Sequence, residues 1–287
     1  MPELTVRELW RRTGHGLGDR VTARWLCEVA TGLTSDEFAA SLDDPVTERM
    51  VAHLDAMLAR HATGEPIQYV LGRWGFRHLD LAIDQRVLIP RPETEVVAGL
   101  AIELTAAAVH RQGRATVADL GTGSGAIGLS VAHETPLGAV TVWMTDRDPA
   151  ALDVARANLA GLGRRGVGVR LAAGSWFEAL PREPFDVIVS NPPYVAEGSP
   201  DVERSVTEWE PAGALFAGSD GLDHVRVLVA GALDRLVHGG WLVLEIGADQ
   251  GDAVAGLFER HGYADIEIRP DLGGLPRIAL GRSRAIG

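Results

Sequence analysis

Asn191-Pro192-Pro193-Tyr194 sets a side-chain amide, two prolines and an aromatic ring directly after the apolar run Phe185 to Ser190. A strand that ends this way makes a rigid lip at the carboxyl end of a sheet, where open α/β folds bind ligands. The chemistry that suits such a lip is the grip of a planar, weakly nucleophilic NH2 group, whose two hydrogens need two acceptors. The Asn191 side-chain oxygen and the Pro192 carbonyl are acceptors, and the fixed φ of proline keeps that carbonyl from swinging away. Tyr194 can stack on the flat face of the bound amide or base. Asn191, Pro192 and Tyr194 are thus the candidate catalytic residues, and Asn191, Pro192, Pro193 and Tyr194 the candidate substrate-binding set. Asparagine and proline also end strands for purely local reasons, so the motif alone decides nothing.

A second signal lies upstream, where Val117-Ala118-Asp119-Leu120 runs into Gly121-Thr122-Gly123-Ser124-Gly125 and then Ala126-Ile127-Gly128. This is an apolar strand, a glycine-rich turn and the start of a helix. Glycines let the backbone approach a ligand and expose NH groups at a helix N-terminus. Gly121, Thr122, Gly123, Ser124 and Gly125 are therefore candidate cofactor-binding residues. The cofactor type stays open on these residues, because Gly123, Gly125 and Gly128 also satisfy the dinucleotide pattern G-x-G-x-x-G. The strand Val140 to Thr145 ends at Asp146, about 20 positions past the glycines, where a ribose diol is gripped. Asp148, before Pro149, takes the helix-capping role instead. After a third strand, Val167 to Ala172, Trp176 is a candidate to flank an adenine ring, although tryptophan in an apolar stretch also serves as core. Asn191 completes the cofactor set.

The residues just past the fourth strand separate the two cofactor readings. Hydride transfer needs an acid/base pair there, commonly a histidine or a tyrosine with lysine, and the chain contains no lysine. It has Asn-Pro-Pro-Tyr instead, which favours methyl transfer from S-adenosylmethionine to an NH2 group.

With these motifs the chain resembles the HemK/PrmC family of protein-(glutamine-N5) methyltransferases, which methylate the glutamine of the Gly-Gly-Gln motif in class I peptide-chain release factors. Further matching stretches are Gly64-Glu65-Pro66, Gly72 to Phe76, Leu88 to Glu95 and Asp271 to Arg277. Asn-Pro-Pro-Tyr is shared with adenine-N6 DNA methyltransferases; Arg91-Pro92-Glu93-Thr94-Glu95 is similar to the release-factor branch. Ser175 stands where the family often has an acid that contacts the adenine amino group. The resemblance implies a Rossmann-like class I methyltransferase fold with seven mostly parallel strands, the last antiparallel, and S-adenosylhomocysteine as product. It also implies a class I release factor as partner and a role in translation termination; a cytoplasmic enzyme is expected from composition, and a monomer is the working expectation.

Composition is compatible with that reading. At 287 residues and 46% apolar content, the guide of about 150 residues per domain gives two domains with proper cores. No apolar run approaches the roughly 20 residues of a membrane span, and no signal peptide is expected. A formal charge of −12 argues against a phosphate-driven nucleic-acid binder, and so against a DNA methyltransferase. A dehydrogenase lacks its acid/base set here, and a catalytically silent binding module would not need the glycine turn and Asn191 intact. The nine histidines lack metal-ligand spacing, so no metal is expected. Cys27, beside Trp25, Leu26 and Val29, reads as a buried helical thiol.

Three segments must position these groups. Residues 1–72 read as a helical bundle, to which we assign substrate recognition, residues 73–90 as a hairpin linker, and residues 91–287 as the methyltransferase domain. In the bundle Val21, Trp25 and Val29 recur at four-residue spacing, and Met50, Leu54, Met57 and Leu58 follow a helical stripe. Thr34 with Glu37 forms a capping box, Asp44-Pro45 starts the next helix, and Gly64 with Pro66 ends it. Beyond residue 90 strands alternate with helices through Ala115 to Leu120, Val140 to Thr145, Val167 to Ala172, Phe185 to Ser190, Trp241 to Ile246, Ala264 to Arg269 and Ile278 to Gly281, the pattern of a mostly parallel sheet. Pro193 to Asp220 reads as a loop that covers or docks substrate. Glu93 and Glu245 are candidate helpers, but an acid near a sheet end more often serves as a cap or ion-pair partner, so both stay outside the catalytic set.

Overall fold

The computed structural model describes residues 4–200 and 203–284; residues 201 and 202 of the expected substrate loop lie outside the described residues. The chain forms two compact units, Met1–Arg73 and Trp74–Gly287.

Among the described residues the first unit holds five helices: α1 (Val6–Leu17), α2 (Arg20–Thr31), α3 (Ser35–Ala40), α4 (Glu48–Ala62) and α5 (Ile67–Leu71). Leu9, Leu26, Cys27, Ala30, Phe38, Leu54 and Met57 share its core. The Thr34–Glu37 capping box opens α3, and Leu54 and Met57 are buried as their spacing predicts. The α2 stripe differs from expectation. Val21 is 58% exposed, and the inner face is Ala23, Leu26, Cys27 and Ala30, because small residues let α1 and α2 approach closely. Nor does Asp44-Pro45 start a helix: Thr47 caps α4 by accepting from the Met50 backbone NH. As expected, α4 ends at Ala62 just before Gly64, at φ 89°, and Pro66; Pro66 also caps the start of α5, where its missing NH costs nothing. Cys27 is buried, which pushes its thiol up to about 11.

The boundary between the units falls after the first residue of a two-stranded hairpin, β1 (Arg73–Phe76) and β2 (Leu79–Ala82), which ends well before Pro90. The next elements are α6 (Pro92–Gln112), β3 (Ala115–Leu120), α7 (Ala126–Glu134), β4 (Val140–Asp146), α8 (Pro149–Gly161), β5 (Val169–Ala173) and β6 (Phe185–Ser190). The chain continues through α9 (Arg204–Trp209), α10 (Asp223–Ala232), β7 (Leu236–Glu245), α11 (Gly251–His261), β8 (Ala264–Pro270) and β9 (Pro276–Arg282). Seven strands form one sheet in the order β5-β4-β3-β6-β7-β9-β8, with β9 antiparallel to both of its neighbours. This is the expected mostly parallel sheet. β6 is buried along its whole length, as an inner strand covered on both faces must be, and each such Val or Ile contributes about 1.5–3 kcal/mol. β5 starts two residues later than expected, because Gly163–Gly168 forms a 3-10 helix.

Strand order reverses between β3 and β6, and Leu120 pairs with Ser190 there. Ser190 Oγ donates to the Leu120 carbonyl at 2.6 Å, so the two carboxyl ends are tied together where ligands bind in such sheets.

Candidate active site at the carboxyl ends of the strands

The glycine turn is shaped by its backbone. Gly121, Gly123 and Gly125 have φ of 69°, 53° and 87°, a left-handed alternation that side chains resist. A Cβ at Gly128 would lie 2.7 Å from Met144 Cγ, so α7 can cross β4 only with glycine there. Asn158 of α8 holds the turn from outside, donating to the Ser124 carbonyl at 2.8 Å while pairing with Ala82 of the hairpin.

One cleft collects most of the expected cofactor residues: Gly121, Thr122, Gly123, Ser124, Asp146, Trp176 and Asn191 all line it. Gly125 does not; it caps α7 and packs against Leu129 and Met144. Asp146 accepts from the Gly123 backbone NH at 3.0 Å through one oxygen and from the Asp148 NH at 3.0 Å through the other. Asp148 caps α8 through the Ala150 NH, which leaves the strand-end position to Asp146. Trp176 sits at φ 47°, a left-handed conformation costly for a bulky residue, with its ring against Gly121 and 5.3 Å from the His224 ring. It both lines the cleft and packs on the core. Ser175 lines the cleft too.

Asp119 is the buried acid of this cleft, which Asp146, Asp148, Arg86 and Arg147 also line. One carboxylate oxygen accepts from Thr122 Oγ1 at 2.6 Å and from the Gly128 NH at 2.9 Å; the other is buried with no partner among the described residues. Burial pushes this carboxyl up to about 6. An orphaned buried carboxylate oxygen on a nucleotide-sized cleft fits a cationic ligand, and S-adenosylmethionine bears both a sulfonium and an ammonium.

A second cleft adjoins the first and shares Asn191 with it. Tyr194, Arg91, Val206 and Leu215 are among its walls. Pro193 lines the first cleft, and Pro192 itself is buried. The segment from Pro193 to Asp220 is more ordered than a plain loop. It contains α9, its Val195 bridges to Phe216, and buried Glu210 pairs with Arg91 and accepts from the Ile89 NH at 3.0 Å. No periodicity marks Glu210 in the sequence, since its partners lie 119 and 121 residues away.

Behind the Asn-Pro-Pro-Tyr lip runs a polar chain that joins the candidate helper Glu245 to Asn191 and Tyr194 through Thr94, which the sequence did not single out for this role. Asn191 Nδ2 donates to Thr94 Oγ1 at 3.1 Å, Thr94 Oγ1 donates to Glu245 Oε2 at 2.7 Å, and the Tyr194 hydroxyl donates to Glu245 Oε1 at 3.1 Å. Burial beside Glu245 raises the Tyr194 phenol above its usual range, so it stays protonated. Glu93 takes no part in this chain. Among the described residues no cluster of His, Cys, Asp and Glu could hold a metal, and no helix is long and apolar enough to cross a membrane.

Sheet order, glycine turn and strand-end acid together define a class I S-adenosylmethionine-dependent methyltransferase fold. The family model described as Methyltransferase small domain matches residues 100–208, and that described as PrmC N-terminal domain matches residues 17–72. The chain is 42% identical to the release factor glutamine methyltransferase of Xylella fastidiosa over 84% of each chain. It is 40% identical to that of Neisseria gonorrhoeae over 92% of this chain and 93% of the relative. A methyltransferase from Pyrococcus furiosus shares the fold at 18% identity and a TM-score of 0.52, covering 80% of this chain and 100% of that one. The chain belongs to the release factor glutamine methyltransferase family.

Proposed function

We propose that this enzyme transfers a methyl group from S-adenosylmethionine to the side-chain amide nitrogen of the glutamine in the Gly-Gly-Gln motif of class I release factors. The observation that carries the reading is Asn191, which stands where the two clefts meet with its nitrogen committed to Thr94 and its oxygen turned away as an acceptor. The Xylella and Neisseria relatives support the same substrate. The test is incubation with labelled S-adenosylmethionine and intact release factor, followed by mass spectrometry of the Gly-Gly-Gln peptide. A methyl on any other residue would overturn the assignment.

When bound, S-adenosylmethionine supplies an electrophilic methyl on a positively charged sulfur, a good leaving group. The protein's task is to hold a poor nucleophile in line, because an amide nitrogen has a delocalised lone pair. Asn191 Oδ1 and the Pro192 carbonyl accept the two amide hydrogens, and these bonds strengthen as positive charge grows on nitrogen. Tyr194 faces the amide plane from the second cleft, and its hydroxyl keeps its own proton while donating to Glu245, so the ring stays neutral. The lost proton leaves to water. In the first cleft Asp146 and the backbone of Gly121 to Ser124 hold the ribose and methionine parts, Trp176 the adenine, and Asp119 the cationic end.

The Asp119 assignment makes a pH prediction. A cationic ligand favours the ionised carboxyl, whose pKa before binding is raised to about 6 by burial. Affinity for S-adenosylmethionine should therefore be full above that value and fall by up to roughly tenfold per unit below it. Calorimetry at pH 5 and pH 8 checks this; equal dissociation constants would remove Asp119 from the site.

We further assign release-factor recognition to the helical unit, which carries none of the cofactor-binding motifs. The protein truncated to begin at Gly72 should still bind S-adenosylmethionine but methylate intact release factor poorly. Full activity of the folded truncation on intact release factor would refute this.

A further inference from the structure

We infer that Thr94 and Glu245 are positioning residues that set the polarity of the Asn191 amide, so that its oxygen and not its NH2 meets the substrate. The inference rests on the proposed glutamine methylation. Three elements converge to make the arrangement: Asn191 follows β6, Thr94 lies in the first turn of α6, and Glu245 is the last residue of β7. Thr94 and Glu245 are 3% and 0% exposed, so water does not substitute for either partner.

Hydrogen counting decides the polarity. An asparagine amide is nearly symmetric in shape, and sterics alone do not choose between its two flips. The Thr94 hydroxyl has a single hydrogen. It is spent on Glu245 Oε2, so Thr94 Oγ1 offers Asn191 only lone pairs and accepts the NH2 half. Asn191 Oδ1 is then turned to the substrate. The opposite flip would set oxygen against lone pair at Thr94 and an NH2 against the substrate NH2. Two mismatches would be created, one of them at the atom where charge develops.

A proton on Glu245 Oε2 reverses the chain. It would be donated to Thr94 Oγ1, freeing the Thr94 hydrogen to point at Asn191 and select the oxygen instead. The groups facing Glu245 are Thr94 and Glu93 from α6, Tyr194 from the segment after β6, and Arg277 from β9. Burial raises the carboxyl, Thr94, Tyr194 and Arg277 oppose the rise and Glu93 adds to it, leaving it at about 7. The productive polarity belongs to the ionised form, so turnover should be full above this value and lost as pH falls through it.

The test is single-turnover methylation of intact release factor at saturating S-adenosylmethionine from pH 5.5 to 9, with cofactor affinity measured alongside. Thr94→Val keeps the volume and removes the hydroxyl. It should turn over roughly tenfold more slowly at pH 8, with an acid limb flattened relative to wild type and cofactor affinity changed little. Thr94→Ser should restore most of the rate and the limb, which a purely space-filling role for Thr94 would not require. Glu245→Gln, which cannot ionise, should lose the limb as well, and it serves should the valine variant not fold. A Thr94→Val enzyme with wild-type rate and limb, or a Glu245→Gln enzyme that keeps the limb, overturns the relay while leaving the function intact. A wild type that methylates no glutamine overturns the function and the relay with it.

Discussion

Replacing Asn191 with alanine should lower methyl transfer by roughly a hundredfold or more while S-adenosylmethionine binds almost as before. The lost acceptor matters most when the amide nitrogen becomes positive, so the effect falls on turnover rather than on ground-state binding. Asn191→Asp sharpens the test. By shape it retains an acceptor toward the substrate. The structure points to a low rate while Glu245 is ionised, because the asparagine NH2 is the donor to Thr94 Oγ1, whose own hydrogen goes to Glu245. An aspartate would set oxygen against a lone pair and add a second carboxylate behind the lip. Asn191→Asp should therefore be nearly as slow as the alanine variant. Rapid-quench single-turnover assays measure both, and a near-wild-type rate in Asn191→Ala would mean that the strand-end motif is only a turn.

The second large effect is expected at Asp146. Asp146→Ala should weaken S-adenosylmethionine binding by roughly 1.5 to 3 kcal/mol, the worth of charge-assisted hydrogen bonds, with the fold retained. Part of the loss comes through the glycine turn, because Asp146 also accepts from the Gly123 NH and so fixes the loop whose backbone meets the cofactor. Asp146→Asn retains one acceptor and should fall between wild type and alanine. Unchanged calorimetric affinity in the alanine variant would show that the ribose is held elsewhere.

Much of the frame was legible because it is local. Asp119 to Gly125 and Phe185 to Tyr194 each carry strand, turn and chemistry within about ten consecutive residues. Their meaning survives without knowing what lies beside them. Boundaries were less legible where caps compete: Asp44-Pro45 has a helix-start pattern, yet Thr47 supplies the capping oxygen. The α2 stripe was misplaced because a four-residue repeat of large side chains is visible in sequence, whereas close helix packing selects the small face.

The polar chain behind Asn191 was not legible at all. Thr94 and Glu245 lie 97 and 54 residues from Asn191 along the chain and meet it only because β6 and β7 pair and α6 starts beside their carboxyl ends. Glu245, from sequence a candidate helper kept out of the catalytic set, proves to be fully buried with both oxygens occupied. Composition and motif spacing by themselves determined the α/β class, the cofactor turn and the strand-end amide, since each is written in neighbouring residues. Which way that amide faces, and which buried carboxylate stands behind it, were decided only by the tertiary structure, because hydrogen-bond polarity is passed between side chains that the sequence keeps far apart.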